Sequence, residues 1–373
     1  MTSSATPLTV AATDGAARAG TVTTARGTFT TPCFMPVGTR GAVKALDAAD
    51  LEALGAQVVL SNTYHLMLRP GAEVIAALGG LGRFSGWGGH TLTDSGGFQV
   101  HSLSPAVDDD GVSFTSVYDG SPVRLTPERA VEVQGLIGAD IQMVLDVCAT
   151  LPAPPEALRQ AVERTAAWAA RARDHHRRVE ARPPHQAIYG IVQGGTDPEL
   201  RVESASRTVE LAFDGYAIGG LSVGEPREEL LATVEATVPI LPADRPRYLM
   251  GVGDPIGLVE AVARGIDLFD CVAPTRGARH GQVWTRSGRL SLRNAAHARD
   301  DRPLEEGCAC PTCRRWSRGY LRHLLLVGEP TAWRLLSVHN LAFVLDLVAR
   351  VRNAIGDGRL ADMRTEVAAS WGR

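Results

Sequence analysis

The stretch Ile266-Asp-Leu-Phe-Asp-Cys-Val-Ala-Pro-Thr-Arg-Gly-Ala-Arg-His-Gly281 shows the unit from which most of the chain is built. Its residues 266–269 form a short apolar run that predicts a buried strand, and Asp270 closes that run. The proline and glycine that follow predict a loop, which carries Arg276 and Arg279. A carboxylate beside two guanidinium groups suits an acid or nucleophile that faces an anionic substrate. The structural alternative is an aspartate that caps a turn and pairs with Arg276.

Seven other apolar runs repeat this unit, and amphipathic segments lie between most of them. Buried strands that alternate with helices indicate parallel β/α units, and eight units predict an α/β fold with a closed (β/α)8 barrel. A doubly wound open sheet is the alternative, but no Gly-x-Gly-x-x-Gly turn follows the first run. The predicted strands are 34–38, 58–62, 91–94, 141–146, 187–193, 216–221, 248–252 and 267–272. The predicted helices are 48–54, 127–136, 155–173, 198–211, 227–240 and 255–264.

A barrel of this kind places its active site at the carboxyl ends of the strands. Two of the carboxylates there, Asp94 and Asp270, suit glycosidic chemistry with one nucleophile and one acid/base. A further carboxylate, Asp146, and the amide of Gln193 fit the hydrogen-bonding edge of guanine. Phe98 can stack on a planar substrate, although a core aromatic is the ordinary interpretation. The strand-end residues are Asn62, Asp94, Asp146, Gln193, Gly220, Leu221, Gly251 and Asp270.

Segments outside the predicted strands divide the chain into three expected parts. Residues 8–31 alternate threonine, valine and small residues around two turns, which predicts a hairpin that covers the barrel. The run Asp108-Asp-Asp-Gly111 lacks the spacing of a calcium loop, so a solvated loop or a small β-insertion is expected. The expected parts are a cover hairpin over 1–31, the barrel core with the active site over 32–282, and a zinc-binding subdomain with C-terminal helices over 283–373.

Composition describes a globular protein, with 45% apolar and 21% charged residues and a net charge of −3. No apolar run reaches the roughly 18 residues that span a bilayer, and the N-terminus does not have the form of a signal peptide. A cytoplasmic protein without membrane contact is therefore expected. Between Ala273 and Arg334, twelve arginines stand against five acidic residues, so positive charge is concentrated in this part of the chain.

Three of the six cysteines lie together as Cys308-x-Cys310-x-x-Cys313, and His339 follows in a predicted helix. Three thiolates and one imidazole make a closed tetrahedral Zn²⁺ shell, which predicts one structural zinc ion per chain. His297 and His323 are alternative fourth ligands that spacing alone does not exclude, and free buried thiols are the structural alternative.

Several longer motifs occur in chain order: Asn62-Thr-Tyr-His-Leu-Met-Leu-Arg-Pro-Gly71, Thr93-Asp-Ser-Gly-Gly-Phe-Gln-Val100, Gly190-Ile-Val-Gln-Gly-Gly195, Gly219-Gly-Leu-Ser-Val-Gly-Glu225, Tyr248-Leu-Met-Gly-Val-Gly253 and Phe269-Asp-Cys-Val-Ala-Pro-Thr-Arg276. With the cysteine and histidine set, they resemble the bacterial tRNA-guanine transglycosylases (queuine tRNA-ribosyltransferases). The resemblance runs from about Pro32 to the C-terminus. It implies a (β/α)8 barrel with a zinc subdomain, usually assembled as a homodimer.

The resemblance also implies the reaction. The enzyme would exchange guanine 34 of a tRNA with a GUN anticodon for a 7-deazaguanine, most simply preQ1, in queuosine biosynthesis. Asp270 would attack the ribose C1′ and form a covalent ribosyl-enzyme, and Asp94 would act as acid/base. Two inversions give net retention, and no ATP or redox cofactor is required because one glycosidic bond is exchanged for another.

Further contacts follow from the resemblance residue by residue. The base-binding set would comprise Asp94, Ser95, Phe98, Asp146, Gln193, Gly220, Leu221 and Met250, with Glu225 near the side arm of the base. The tRNA-binding set would comprise Gly251, Val252, Gly253, Asp254, Pro255, Ile256, Gly257, Thr275, Arg276, Gly277, Ala278 and Arg279. The metal ligands would be Cys308, Cys310, Cys313 and His339. Trp316, Tyr320 and His323 match aromatic residues of the family's dimer interface.

One position departs from the family pattern, because Val147 stands where a glutamate usually follows the aspartate at 146. Loss of a buried acceptor near the base predicts altered base selectivity, with queuine or preQ0 as alternatives to preQ1. Three other interpretations differ in class or subfamily: a non-catalytic tRNA-binding subunit, a zinc-stabilised glycosidase acting on carbohydrate, and an archaeal-type enzyme. The first is expected to lack a catalytic aspartate, the second predicts more aromatic sugar platforms, and the third predicts a further RNA-binding domain.

Overall fold

The computed structural model describes residues 6–97, 106–179 and 186–372. At its start lies a three-stranded antiparallel sheet of β1 (Leu8–Asp14), β2 (Ala17–Thr24) and β3 (Gly27–Thr31). This sheet covers the amino ends of the barrel strands, since the Leu8 N–H donates to the Asp244 carbonyl just before one of them. The expected hairpin is thus extended by a third strand.

Eight parallel strands form the barrel. Beyond the two end strands, a parallel bridge joins Val37 to Leu60, and the Gly38 N–H donates to the Leu60 carbonyl at 2.6 Å, which closes the ring. The closed barrel confirms the predicted fold class. The strands are β4 (Cys33–Pro36), β5 (Val58–Ser61), β6 (His90–Thr93), β10 (Ile141–Met143), β11 (Ala187–Val192), β12 (Gly215–Ile218), β13 (Arg247–Leu249) and β14 (Leu268–Cys271). Their hydrogen-bonded order is β4, β14, β13, β12, β11, β10, β6, β5.

Six of the helices correspond to the six predicted from amphipathic spacing. Three of them begin in the same way, with a polar cap followed by proline at the first helical position. The caps are Thr126, Asp197 and Asp254, and each side chain accepts a backbone N–H from the first turn. The six helices are α1 (Ala48–Ala53), α5 (Pro127–Ile137), α6 (Pro155–Arg178), α7 (Pro198–Glu210), α8 (Arg227–Thr237) and α9 (Pro255–Ala263).

Shorter elements fill the connections. Helices α2 (Thr63–Leu68), α3 (Ala72–Ala77) and α4 (Gly80–Ser85) lie between β5 and β6. A small antiparallel sheet, β7 (Ala106–Asp108), β8 (Gly111–Thr115) and β9 (Pro122–Leu125), lies between β6 and α5. The acidic run at 108–111 forms the turn of this sheet, in agreement with the expected small β-insertion. Two 3-10 turns occur at Val238–Ile240 and Ala295–His297.

The segment after β14 is helical, so the prediction of a loop there was wrong. Helix α10 (Ala273–Arg279) has its proline in the first turn, where a missing N–H costs nothing, and Gly277 in a helix costs only about 1 kcal/mol. Tertiary packing offsets that cost. Asn340 donates its side-chain amide to the Pro274 carbonyl at 2.9 Å and thereby holds the start of the helix.

The C-terminal part contains a hairpin and three further helices: β15 (Gln282–Thr285), β16 (Gly288–Ser291), α11 (Arg318–Leu326), α12 (Pro330–Gly356) and α13 (Leu360–Trp371). Helix α12 is long and apolar enough to cross a membrane by composition, yet 67% of its most apolar window is buried within the protein. Its side chains Leu341 and Val344 belong to the main core together with strand residues such as Phe34 and Phe269. The helix therefore packs on the barrel, and its apolar character is that of a core helix.

A buried ion pair attaches the N-terminal sheet to the barrel. Arg18 donates from Nε to Asp267 Oδ1 at 3.0 Å and from Nη2 to Oδ2 at 2.5 Å, with both side chains nearly inaccessible. The same guanidinium donates to the carbonyls of Ala243 and Arg245. These contacts hold β2 against the starts of β13 and β14.

Replacement of Arg18 by methionine is expected to lower the free energy of unfolding by about 3–5 kcal/mol, because Asp267 would remain buried without its cation. Chemical denaturation measures this change. A matched control is Arg26→Met, which breaks the ion pair between Arg26 and Asp140. The Arg26 side chain is 38% exposed. The free energy of unfolding of Arg26→Met should fall by no more than about 1 kcal/mol. An equal decrease in the two variants would contradict the stabilising role assigned to the buried pair of Arg18 and Asp267.

Candidate active site and metal centre

A cavity of about 620 Å³ opens at the carboxyl ends of the barrel strands. It is here called the base cavity. Its described lining includes both predicted catalytic aspartates, Asp94 and Asp270, together with Asp146 and Met250. The structure thus brings together, at one mouth, residues that are far apart in the sequence, as a parallel barrel requires.

Asp270 lies within β14 and points into the base cavity. Its Oδ1 accepts the Tyr248 hydroxyl at 2.6 Å and the Gly251 N–H at 2.8 Å. Burial raises the pKa of this carboxyl, while the two donors oppose that shift. Both donors bind the same oxygen, so the second carboxylate oxygen has no protein donor among the described hydrogen bonds. The arrangement orients a carboxylate and keeps one oxygen available for chemistry.

Asp94 follows β6 and is held by the start of α2. Its Oδ1 accepts the N–H groups of Thr63 at 2.9 Å and Gly96 at 3.1 Å, and its Oδ2 accepts the side-chain amide of Asn62. The Thr63 hydroxyl also donates to the Asp94 carbonyl. Asp94 is 9% exposed, and its carboxylate is held by backbone N–H groups together with the Asn62 side chain.

Tyr248 is a functional residue that the sequence interpretation named only as part of a motif. It lies within β13 and is almost fully buried, with its hydroxyl on Asp270. Burial raises the pKa of this phenol well above its ordinary value, and the charges of Asp270 and then Asp94 add to the shift. The phenol therefore stays protonated and donates. A tyrosine within a predicted barrel strand was the available signal, but only the pairing of β13 with β14 brings it to Asp270.

Asp146 and Gln193 form a second polar pair in the same region. The Gln193 Nε2 donates to Asp146 Oδ2 at 2.6 Å, and this bond fixes the orientation of both side chains. Burial raises the pKa of Asp146 to about 6, while the hydrogen bonds from Gln193 and Ser95 oppose the shift. A desolvated carboxylate beside an amide is suited to the N–H and carbonyl edge of a purine.

Gly220 permits the close approach of Gln193 to the following loop. Its φ of +65° is in the left-handed region, and a Cβ there would lie only 2.2 Å from Gln193 Oε1. Leu221 follows and is buried. The loop is then held by Glu225, whose carboxylate accepts the N–H groups of Ser222 and of Val223, the latter at 3.1 Å. The loop from Leu221 to Glu225, predicted to lie near the side arm of the base, is therefore held by its own hydrogen bonds.

Neither Phe98 nor Val147 is among the described residues that line the base cavity. Phe98 lies outside the described residues. The Val147 side chain packs with the apolar cluster of Tyr64, Phe114 and Trp168, and it is not among the described residues that line the base cavity. Val147 therefore lies in this apolar cluster, and altered base selectivity stays a prediction.

The predicted tRNA-binding residues form two segments at the rim of the base cavity. Gly251 to Asp254 line the cavity after β13, and the Asp254 side chain caps α9 by accepting the Gly257 N–H at 3.1 Å. The second segment is α10. There Arg276 is exposed and lines the cavity, whereas Thr275 is buried and donates to the Val272 carbonyl. Burial lowers the pKa of Arg279, with the charge of Arg276 as the second cause.

Three sulfur atoms and one imidazole meet beside α12, the helix that supplies His339. The ligand atoms of Cys308, Cys310, Cys313 and His339 all lie within 4.8 Å of one another, which suits a single metal ion. The His339 Nε2–H donates to the Trp284 carbonyl at 2.9 Å, so Nδ1 faces the thiols. This is the usual way in which a second hydrogen bond orients a metal-binding histidine. Of the alternative ligands, His297 instead contacts Asp300.

Comparison with known proteins agrees with this site. A family model described as Queuine tRNA-ribosyltransferase matches residues 13–373. The chain is 51% identical over 364 residues to the queuine tRNA-ribosyltransferase of Rhizobium meliloti (strain 1021), covering 97% of this chain and 96% of the relative. It is 52% identical over 341 residues to that of Syntrophobacter fumaroxidans (strain MPOB), covering 91% and 90%. The chain therefore belongs to the queuine tRNA-ribosyltransferase family, and it is an enzyme of the pentosyltransferase class.

Proposed function

We propose that this enzyme exchanges guanine 34 of tRNAs with a GUN anticodon for a 7-deazaguanine, with preQ1 as the substrate, through a ribosyl-aspartate intermediate. The observation that carries this proposal is the geometry of Asp270. Its carboxylate is fixed through one oxygen by Tyr248 and Gly251, and it shares the base cavity with the second carboxylate, Asp94.

In the first step, the available oxygen of Asp270 attacks the ribose C1′ and the bond from C1′ to guanine N9 breaks. Asp94 donates the proton that guanine takes up as it leaves. In the second step, N9 of the incoming base attacks C1′, the bond to Asp270 breaks, and Asp94 receives the N9 proton. Each step inverts C1′, so the product retains the original configuration. The Tyr248 phenol stabilises the carboxylate that is regenerated.

The base itself is bound by the pair of Asp146 and Gln193. The carboxylate of Asp146 accepts N–H groups of the base, and the Gly220 N–H and the Gln193 amide face its carbonyl edge. Met250 lines the cavity on one side of the base, and Leu221 borders the side-arm region. We propose Phe98 as the opposite stacking surface.

This assignment predicts a pH dependence. Below about pH 6 Asp146 takes up a proton and can no longer accept from the base, so the KM for the free base should rise by up to about tenfold per pH unit. Steady-state exchange measured from about pH 7.5 to about pH 5 checks this. The variant Asp146→Asn should show a high KM that does not follow this rise. A wild-type KM that stays constant over this range would contradict the role of Asp146.

Other features complete the proposal. The donor set at 308, 310, 313 and 339 would hold one structural Zn²⁺, because thiolates and imidazole favour zinc and all four positions are taken by protein. A homodimer through α11 is proposed from Tyr320, which is 44% exposed, and from the neighbouring Leu326 and Val327, which are also exposed. We place the enzyme in the cytoplasm, where it meets tRNA.

The direct test is the loss of labelled guanine from position 34 of tRNA, with preQ1, preQ0 and queuine offered separately. Loss that depends on preQ1 is the expected result and ranks the bases. Loss of guanine only with queuine or preQ0 would support transglycosylase activity and would show that preQ1 is not the substrate. Binding of tRNA without any loss would support a non-catalytic subunit instead.

A further inference from the structure

Arg201 is a fully buried arginine near the start of α7 that no step of the proposed reaction uses. Its exposed fraction is 0%, and it is not among the described residues that line the base cavity. Within the described part of the chain its guanidinium bonds to carbonyl groups and forms no ion pair. Burial lowers the pKa of Arg201 to about 10, while the neighbouring Cys148 and Glu225 oppose that shift. The side chain is therefore a buried cation at neutral pH, which is an unfavourable arrangement without a paired carboxylate.

Three backbone carbonyl groups surround this cation. The Arg201 Nε donates to the Gly195 carbonyl at 2.7 Å and Nη1 donates to the Val192 carbonyl at 3.0 Å. Nη2 donates to the Gly220 carbonyl at 3.4 Å. Val192 is the last residue of β11, and Gly220 follows the end of β12. One side chain thus joins the carboxyl ends of two adjacent barrel strands to the start of α7.

Helix α7 holds both sides of the peptide group between Val192 and Gln193. The carbonyl of this group accepts from Arg201. Its N–H, which belongs to Gln193, donates to the Ser204 Oγ at 3.0 Å. Ser204 is 2% exposed and lies about one turn beyond Arg201 in the same helix. The backbone position of Gln193 therefore depends on two side chains of α7.

The guanidinium also lies close to the Gln193 side chain. A Cβ built on Gly220 would lie 2.2 Å from Gln193 Oε1 and 3.6 Å from Arg201 Nη2, so the amide oxygen and the cation flank the same glycine. At its other end, the amide donates from Nε2 to Asp146. A cation near the oxygen and a carboxylate at the nitrogen favour one orientation of the amide, in which its NH2 group acts as the donor.

We propose that Arg201 is a positioning residue for recognition of the carbonyl group of the exchanged base. It keeps the ends of β11 and β12 at the separation at which the Gln193 NH2 group and the Gly220 N–H donate to one carbonyl oxygen. Its charge also keeps the Gln193 amide in the donating orientation. This inference rests on the proposed function, because it assumes that the base binds between Gln193 and Gly220.

The test compares guanine with 6-thioguanine in wild type and in Arg201→Met. The two bases differ only at the atom bound to C6, where sulfur is a weaker acceptor than oxygen. Incorporation of labelled guanine into tRNA gives its KM, and 6-thioguanine is measured as a competitive inhibitor. In Arg201→Met the KM for guanine should rise about fivefold, the effect of one hydrogen bond, whereas the Ki for 6-thioguanine should rise less than about twofold. The kcat and the KM for tRNA should change little, because Asp270 and Asp94 keep their own supports.

A conservative variant separates the charge from the shape of the side chain. Arg201→Lys keeps a buried cation but loses the planar arrangement of donors that reaches three carbonyls. The KM for guanine should therefore rise less than in Arg201→Met, and again without an equal rise in the Ki for 6-thioguanine. The same comparison of two bases in Arg201→Lys serves as the test if Arg201→Met does not fold.

The matched control is Arg247→Met. Arg247 is also a buried arginine that donates to backbone carbonyls, those of Gly265 and Leu241, but it lies at the start of β13. This variant should unfold at a lower denaturant concentration and should keep the wild-type ratio between the two bases. An unchanged KM for guanine in both Arg201 variants, or an equal rise for guanine, 6-thioguanine and tRNA, would overturn this inference. Absence of guanine exchange in wild type would instead reject the proposed function.

Discussion

Asp270→Asn is expected to reduce kcat for base exchange at least about 10³-fold, while tRNA affinity stays nearly unchanged. The amide has almost the same size and can still accept the Tyr248 hydroxyl, so the cavity should keep its shape. It lacks the anionic oxygen that would attack the ribose. Single-turnover loss of labelled guanine measures the rate, and tRNA affinity is measured separately.

Two matched variants separate the roles of the neighbouring groups. Asp94→Asn should also slow exchange, yet it should still form a covalent complex between protein and RNA on a denaturing gel, because Asp270 remains. Tyr248→Phe removes one donor to Asp270 and should cost about tenfold or less. If Asp270→Asn still formed the covalent complex, another residue would be the nucleophile and the proposed mechanism would be wrong.

The barrel was predictable because its pattern is local. Each buried strand is a short apolar run ended by polar residues, and the caps at Thr126, Asp197 and Asp254 mark where helices begin. The same rule that places active sites at strand ends correctly grouped Asp94, Asp146 and Asp270 in one cavity.

The features that the sequence did not predict depend on contacts between distant segments. The fold of α10 depends on Asn340, which lies in another helix and donates to the Pro274 carbonyl, and no local pattern reveals that support. Tyr248 reaches Asp270 only because their strands are adjacent in the barrel. Sequence position also does not reveal that the Val147 side chain packs against the cluster beneath the β7–β9 sheet, and altered base selectivity stays a prediction.

The cysteine and histidine cluster is connected to α10, the proposed RNA-binding segment, by one pair of adjacent residues. His339 faces the thiols, and the next residue, Asn340, contacts three backbone groups: the Trp284 N–H, the Pro274 carbonyl and the Gln282 carbonyl. The adjacent loop is also tied to α12, because the Thr312 hydroxyl donates to the Leu335 carbonyl at 2.7 Å. The position of α10 therefore depends on the same stretch of α12 that supplies the histidine ligand.

Cys310→Ser is accordingly expected to release the metal and to lower the free energy of unfolding by several kcal/mol, since metal binding at closed cysteine and histidine sites contributes about 10–16 kcal/mol in isolated zinc-finger peptides. Elemental analysis should find one zinc per wild-type chain and far less in the variant. In the molecules that remain folded, the KM for tRNA should rise more than kcat falls, because α10 loosens while Asp270 and Asp94 keep their own supports. The control Cys271→Ser alters a thiol outside the cluster and should retain the metal. A metal-free variant with unchanged melting and unchanged KM would show that the cluster is not structural, and loss of kcat alone would indicate a metal acting in the chemistry.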